Sequence, residues 1–321
     1  MKFTDNFPMS QITTLGIGGP AKKFVSVKSE EELVEAIKYA EQNNLEYLVI
    51  GGGSNLLVSD QGVDKLIIKN EIARISHLGG VIKVKSGTLL QNLVDYSISH
   101  GLSGIEKLTG IPGTVGGAIY GNAGAYGQTI SDHITSVVIL GRSETTTPES
   151  IDSGQARVTF GKDACEFNYR DSIFKKNKLP ILEVTFELES GDTKTLQQEA
   201  DDVLQKRLVK YPKGIKCPGS FFKNIVAETL PSEILEKISP EKIVYGKLPA
   251  GTLLEEVGAK GDKLDGIEIA PYHANLFINR GSGTAQAQAF YTLAQKYVKK
   301  VKEKYGITLE PEVQLINLPT L

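Results

Sequence analysis

The sequence predicts an α+β protein of two or three compact domains, and three observations carry that prediction. The chain has 321 residues, more than one small core serves. Helical and strand periodicities are interleaved up to about residue 209, and from Tyr211-Pro212 the texture changes to short strands and helices. The 33 glycines fall in clusters, which marks backbone that must approach another surface closely.

The elements follow in chain order. Ser29-Glu30-Glu31-Glu32 is a capping box, and Leu33, Ile37 and Ala40 then share one helical face. Tyr47-Leu48-Val49-Ile50 reads as a short strand that runs into Gly51-Gly52-Gly53-Ser54-Asn55, and Leu66-Ile67-Ile68 as the next strand. Val81 to Val84 alternates like a strand, Leu89 to Ser99 reads as a helix stopped by Gly101, and 104–127 is rich in glycine and poor in charge. Strands are expected at His133–Leu140 and Leu182–Leu188, with a polar excursion at 143–165 between them and a helix from Leu196 to Val209. A capped helix from Thr284 to about Lys304 carries the stripe Phe290, Leu293, Tyr297 and Val301, and Ile307 to Leu318 reads as extended.

Composition excludes several classes. Apolar residues are 40% and charged residues 23%, a soluble globular balance, and the formal net charge of −2 gives no electrostatic case for nucleic acid. No run approaches the ~18 apolar residues of a membrane helix, and MKFTDNFPMSQ does not read as a signal peptide. Cys165 and Cys217 have neither metal nor redox spacing. The expectation is a cytoplasmic protein, a monomer, without a nucleic-acid or membrane partner.

Gly16-Ile17-Gly18-Gly19-Pro20-Ala21 fits a dinucleotide fingerprint in letters only. No apolar strand precedes it, and Lys22 to Val27 behind it looks extended, whereas the fingerprint needs strand, turn and helix. No P-loop motif is present, and His77, His100, His133 and His273 lack metal spacing, so no metal is expected. The triple glycine fits either a phosphate-binding nest, with Ser54 and Asn55 as added donors, or a plain turn. Gly110-Ile111-Pro112-Gly113-Thr114-Val115-Gly116-Gly117-Ala118 and Gly121-Asn122-Ala123-Gly124-Ala125-Tyr126-Gly127 favour the first reading. Two uncharged glycine-rich loops suit an extended diphosphate cofactor lying flat on backbone. Ser220, in Pro218-Gly219-Ser220-Phe221-Phe222-Lys223-Asn224, lacks the G-x-S-x-G elbow of a nucleophile.

Taken together the blocks resemble the UDP-N-acetylenolpyruvoylglucosamine reductase family, the MurB flavoenzymes of peptidoglycan precursor synthesis. The matching stretches are TLGIGGPA at 14–21, GGGSNLLVSDQG at 51–62, GLSGIEKLTGIPGTVGGAIYGNAGAYG at 101–127, FNYRDSIFK at 167–175, PGSFFKN at 218–224, PAGTLLEEVGAKG at 249–261, HANLFIN at 273–279 and LEPEV at 309–313. They stand in family order along most of the chain. The resemblance implies an α+β fold with two vanillyl-alcohol oxidase-type FAD-binding subdomains, expected at 1–69 and 70–209. A substrate-binding domain is expected at 210–310, with 311–321 returning to the first subdomain. It implies FAD as cofactor and NADPH as reductant. UDP-N-acetylglucosamine enolpyruvate is the implied substrate and UDP-N-acetylmuramate the product.

The resemblance also assigns residues. FAD would lie on Gly51, Gly52, Gly53, Ser54, Asn55 and Leu56, on Ile111, Pro112, Gly113, Thr114, Gly116 and Gly117, and on Asn122, Ala123, Gly124 and Ala125. Arg170, Ser220 and Glu312 match the catalytic positions, and Tyr169, Lys210, Asn224, His273 and Asn275 the substrate-binding ones. The types suit the chemistry. Hydride added to one alkene carbon leaves negative charge on its neighbour and the attached carboxylate, which a guanidinium can stabilise. A protonated Glu312 could donate to the same enolate, which would require a raised pKa, and the Ser220 hydroxyl could protonate carbon. Some family members carry an insertion that brings a tyrosine over the substrate. The short interval from Arg170 to Lys210 resembles the form without it. The polar stretch 143–160 has no counterpart in the expected pattern.

Overall fold

A computed structural model of the chain describes residues 1–142, 149–152, 155–236, 238–281 and 286–321. Part of the polar stretch 143–160 and the start expected for the last helix, Thr284, lie outside the described residues. The chain forms two compact units. The first comprises Met1–Asp5, Lys23–Gly52 and Asp64–Val209, the second Asn6–Lys22, Gly53–Val63 and Lys210–Leu321.

In the first unit, Ser29 caps the helix Glu30–Gln42 by accepting from the Glu32 N–H, and the Glu32 carboxylate reaches back to the N–H of Lys28. Leu33, Val34, Ala36, Ile37 and Ala40 bury the inner face of this helix. Tyr47–Ile50 pairs in parallel with Val63–Asn70, Tyr47 opposite Leu66 and Ile50 opposite Lys69. A second sheet has six strands in the order Glu149–Asp152, Gln155–Gly161, Ile134–Arg142, Ile181–Glu187, Val81–Lys85 and Ile75–Leu78. Every pairing in it is antiparallel.

Strand periodicity explains how this sheet serves two cores. Val137, Ile139, Val184, Phe186, Ile82 and Val84 face one side, onto the helix Leu90–Ser99 with Leu93, Val94 and Ile98. Val138, Leu140 and Leu182 face the other, into the core around Leu33, Ile37, Leu66 and Ile68. Lys85, Glu30, Glu183 and Arg157 form a partly buried ion network whose closest N–O distances are 2.7 Å.

In the second unit, Leu56–Val58 pairs in parallel with Gln314–Ile316. Asp60, two residues past the first of these strands, caps the helix Ala287–Tyr305: its two carboxylate oxygens accept from Ala287 N at 2.8 Å and Gln288 N at 2.9 Å. The expected stripe Phe290, Leu293, Tyr297 and Val301 is buried, and Gly306 ends the helix at φ +73°. Around that stripe lie Leu15, Ile17, Leu57, Phe221, Phe222 and Phe277. Gly16–Ala21 leads into the strand Pro20–Val27 and no helix, which is why its fingerprint lettering carries no dinucleotide site.

Candidate active site

The glycine blocks of the first unit pack backbone against backbone. A Cβ on Gly51 would lie 2.2 Å from Thr114 Oγ1, and one on Gly52 would lie 2.9 Å from Gly113 Cα. Thr114 caps the short helix Val115–Tyr120 by accepting from Gly117 N at 3.3 Å. Val115 N and Gly116 N donate to Thr88 O and Ser86 O, both at 2.8 Å, so these two amides hold the loop and are not donors to a ligand. Beyond the helix, Ala123 N donates to Ala118 O and Ile130 N to Ala123 O, and Gly124–Ala125 pairs with Gln128–Thr129. Ile111 N donates to Leu108 O, and Pro112 follows it directly.

Asn122 is the informative residue of this region. It is 6% exposed and takes φ +42°. Its Nδ2 donates to Asn168 O at 2.9 Å, while its Oδ1 is buried with no hydrogen-bond partner among the described residues. A buried acceptor left so costs about 1–3 kcal/mol, and a bound ligand offering an N–H would remove that cost. Side-chain-free loops beside an acceptor awaiting a donor fit a flat dinucleotide such as FAD.

Arg170 also belongs to the first unit. Asn168 and Asp171 exchange backbone hydrogen bonds of 3.0 and 3.1 Å, which leaves Tyr169-Arg170 as a two-residue turn. Arg170 sits at φ +56°, a conformation that costs a non-glycine residue of order 1–3 kcal/mol and persists only where its surroundings enforce it. Those surroundings are explicit. Arg170 Nη2 donates to Gly124 O at 3.1 Å, Lys175 Nζ donates to Arg170 O at 3.1 Å, and the fully buried Ser172 donates to Tyr120 O at 2.8 Å. The guanidinium lies 5.6 Å from the Tyr169 ring centroid. Arg170 is thereby anchored to the glycine segment 121–125.

The second unit gathers most of the other candidates. Gly53 opens the share of the glycine loop that belongs to it, at φ +65° with its Cβ direction blocked 2.0 Å away by Ile12 O. Ser54 O accepts from Thr14 Oγ1 at 3.4 Å, and Asn55 Nδ2 donates to Glu312 O at 3.1 Å; Leu56 begins the parallel strand described above.

The stretch Ser220-Phe221-Phe222 runs between two others. Ser220 bridges Leu276 and Phe222 bridges Pro311. Phe221 N donates to Asn275 O at 3.0 Å, and Glu312 N donates to Phe221 O at 2.7 Å. Both phenylalanines are fully buried, with Phe221 ring centroids 4.7, 5.2 and 5.0 Å from Phe222, Phe277 and Phe290. Ser220 is left half-buried. Its Oγ accepts from Lys210 Nζ at 3.4 Å and lies 3.2 Å from the Tyr211 hydroxyl. Asn224 Oδ1 accepts from Ala250 N at 3.2 Å.

Asn275 proves to be a clamp on this stretch. At 3% exposure its Oδ1 accepts from Phe222 N and its Nδ2 donates to Phe222 O, both at 2.8 Å. Its amide is used on the N–H and the C=O of Phe222, two residues after Ser220. Tyr211 is the residue that sequence reading left out of the site; its only signal was its place between Lys210 and Pro212.

His273 lies beside this arrangement. Burial, then the Lys210 ammonium, lower its imidazole from 6.5 to about 4. Its Nδ1 accepts from Asn275 N at 3.2 Å, so the neutral ring carries its proton on Nε2 and offers an anion one N–H. The unfolded chain protonates this histidine near 6.5 and the folded chain only near 4. The stability attached to the neutral ring is therefore complete above about pH 6.5 and is lost as pH falls toward 4. We predict that His273→Asn flattens the fall of the unfolding free energy over that interval by roughly 2 kcal/mol; parallel curves for variant and parent would sink the assignment.

Comparison with known proteins adds a third line. Residues 21–146 match the family described as FAD binding domain. Residues 211–316 match UDP-N-acetylenolpyruvoylglucosamine reductase, C-terminal domain. A UDP-N-acetylenolpyruvoylglucosamine reductase of Solibacter usitatus is 38% identical over 97% of this chain and 95% of its own. That of Carboxydothermus hydrogenoformans is 35% identical over 98% of this chain and 93% of its own. The crystal structure of the Thermus caldophilus reductase superposes with a TM-score of 0.74 at 28% identity, covering 98% of both chains.

Proposed function

The chain belongs to the UDP-N-acetylenolpyruvoylglucosamine reductase family, and from that premise we propose that it reduces UDP-N-acetylglucosamine enolpyruvate to UDP-N-acetylmuramate at the expense of NADPH. It is an FAD-dependent oxidoreductase whose fold joins the FAD-binding fold of vanillyl-alcohol oxidase-type flavoproteins to the reductase C-terminal domain. The reaction serves peptidoglycan precursor synthesis, and through it cell shape and division, and we place it in the cytoplasm. The assembly we propose is a monomer.

FAD, when bound, supplies hydride transfer between NADPH and the substrate. The chain's own residues do the rest. The glycine segments 51–55 and 110–125 hold the dinucleotide, and Asn122 Oδ1 accepts a hydrogen bond from it. Arg170, held in its strained turn, binds the substrate carboxylate and stabilises the charge that accumulates there. A fixed guanidinium is suited to that task because it needs no reorganisation as charge develops. Ser220 donates its proton to carbon, Glu312 in its protonated form donates to the enolate, and Lys210, Asn224, Tyr169 and His273 bind the sugar nucleotide. Asn275 sets the position of the stretch that begins at Ser220. The single observation that carries this reading is the placement of Ser220 at the head of an extended stretch bridged at Ser220 and Phe222, with its hydroxyl beside Lys210.

The direct test is the purified protein with FAD. It should show a flavin spectrum and oxidise NADPH stoichiometrically with the enolpyruvyl sugar nucleotide. A protein that stays colourless with added FAD, or whose reduced flavin is reoxidised no faster with that substrate than with oxygen alone, is not this enzyme.

A further inference from the structure

Ser220 has two polar neighbours whose chemistry differs. Lys210 Nζ stands 3.4 Å from its hydroxyl oxygen, a distance at which an ammonium contributes mainly charge. The Tyr211 phenol oxygen stands 3.2 Å away, and a phenol can both accept from a serine and donate to it. The Tyr211 ring packs on the apolar group Cys217, Ala270, Leu276 and Ile278. Leu276 is also the residue bridged to Ser220. Ring and hydroxyl are therefore fixed by the same short segment, and Pro212 stiffens the backbone that follows.

We infer that Tyr211 is the positioning residue for the Ser220 hydroxyl and the source that reprotonates it, an inference that rests on the proton-donor role proposed for Ser220. Hydride addition at the methylene carbon leaves an electron pair on the neighbouring carbon. That pair takes the serine proton, so a C–H bond forms and the Ser220 O–H bond breaks. An isolated serine alkoxide is a far stronger base than a phenolate, whose parent titrates near 10. The Tyr211 O–H bond breaks as the Ser220 O–H bond re-forms. The resulting phenolate lies beside a cation, since Lys210 Nζ is 5.2 Å from the ring centroid, and it recovers its proton from water. Two protons move along one chain, and no oxidant or further reductant enters.

Tyr211→Phe in the FAD-loaded enzyme is the test, because it keeps the ring and its packing and removes only the hydroxyl. Reoxidation of reduced flavin by the enolpyruvyl sugar nucleotide should slow about 10-fold or more, beyond any change in flavin reduction by NADPH. In mixtures of light and heavy water the rate of that step should change from a curved dependence on deuterium content, the sign of two moving protons, to a straight line. The melting temperature should stay within a few degrees of the parent. The same rate and the same curve shape in both proteins overturn the inference. Ser220→Ala, run in parallel, separates the two levels of the argument. A fast Ser220→Ala enzyme removes the premise. A slow Ser220→Ala enzyme beside an unaltered Tyr211→Phe enzyme removes Tyr211 alone.

Discussion

Ser220→Ala should slow reoxidation of the reduced flavin by the enolpyruvyl sugar nucleotide about a thousandfold, while NADPH still reduces the flavin. The magnitude is that of a lost, positioned general acid. The selectivity follows from where the side chain stands. The stretch is held by the backbone of Phe221, by the side chain of Asn275 and by the bridge to Leu276, none of which uses the serine hydroxyl. Alanine fits the same backbone, so neither the buried phenylalanines nor the glycine loops are disturbed. Rapid-mixing measurement of the two half-reactions decides the matter. If both fall by the same factor, the hydroxyl holds the structure and does not deliver the proton.

Asn275→Leu has the largest expected effect on stability. Leucine keeps the heavy-atom count of asparagine and its branching at Cγ but leaves the Phe222 N–H and C=O, both now satisfied at 2.8 Å, buried without partners. At about 1–3 kcal/mol for each orphaned group, the loss is about 4 kcal/mol, equivalent to a fall of roughly 10 °C in melting temperature for a domain of this size. Ser220 lies two residues before Phe222, so a variant that folds should also lose turnover. Denaturation of the FAD-loaded protein checks the first part; a melting temperature within two degrees or so of the parent contradicts the clamp.

Much of the fold was legible because its signals are local. The cap at Ser29 and the apolar stripe of the helix Ala287–Tyr305 are each set within a few residues. The helix Val115–Tyr120 was not legible. Two of its six residues are glycines and it lacks a polar face, so neither propensity nor periodicity announces it. Its evidence lies in a single threonine cap and in loops packed behind it. The site divides in the same way. The glycine loops show themselves by composition, whereas the contact of Tyr211 with Ser220 depends on a turn whose geometry no spacing rule supplies. The clamp on Phe222 joins residues 53 positions apart, and only the folded chain reveals that Asn275 serves a neighbouring peptide.

The parallel pairing of Leu56–Val58 with Gln314–Ile316 has a consequence for how the chain reaches its native state. The Asn55–Glu312 hydrogen bond beside it spans 257 positions, and Leu15, Ile17 and Leu57 belong to a core otherwise built from residues beyond 210. Loop closure on that scale comes late in folding. During synthesis these early segments must wait, partly apolar and unpaired, until the distant strand has been made. An excised 211–316 fragment would lack three of its own core side chains and a strand neighbour, and so would not fold as an independent unit.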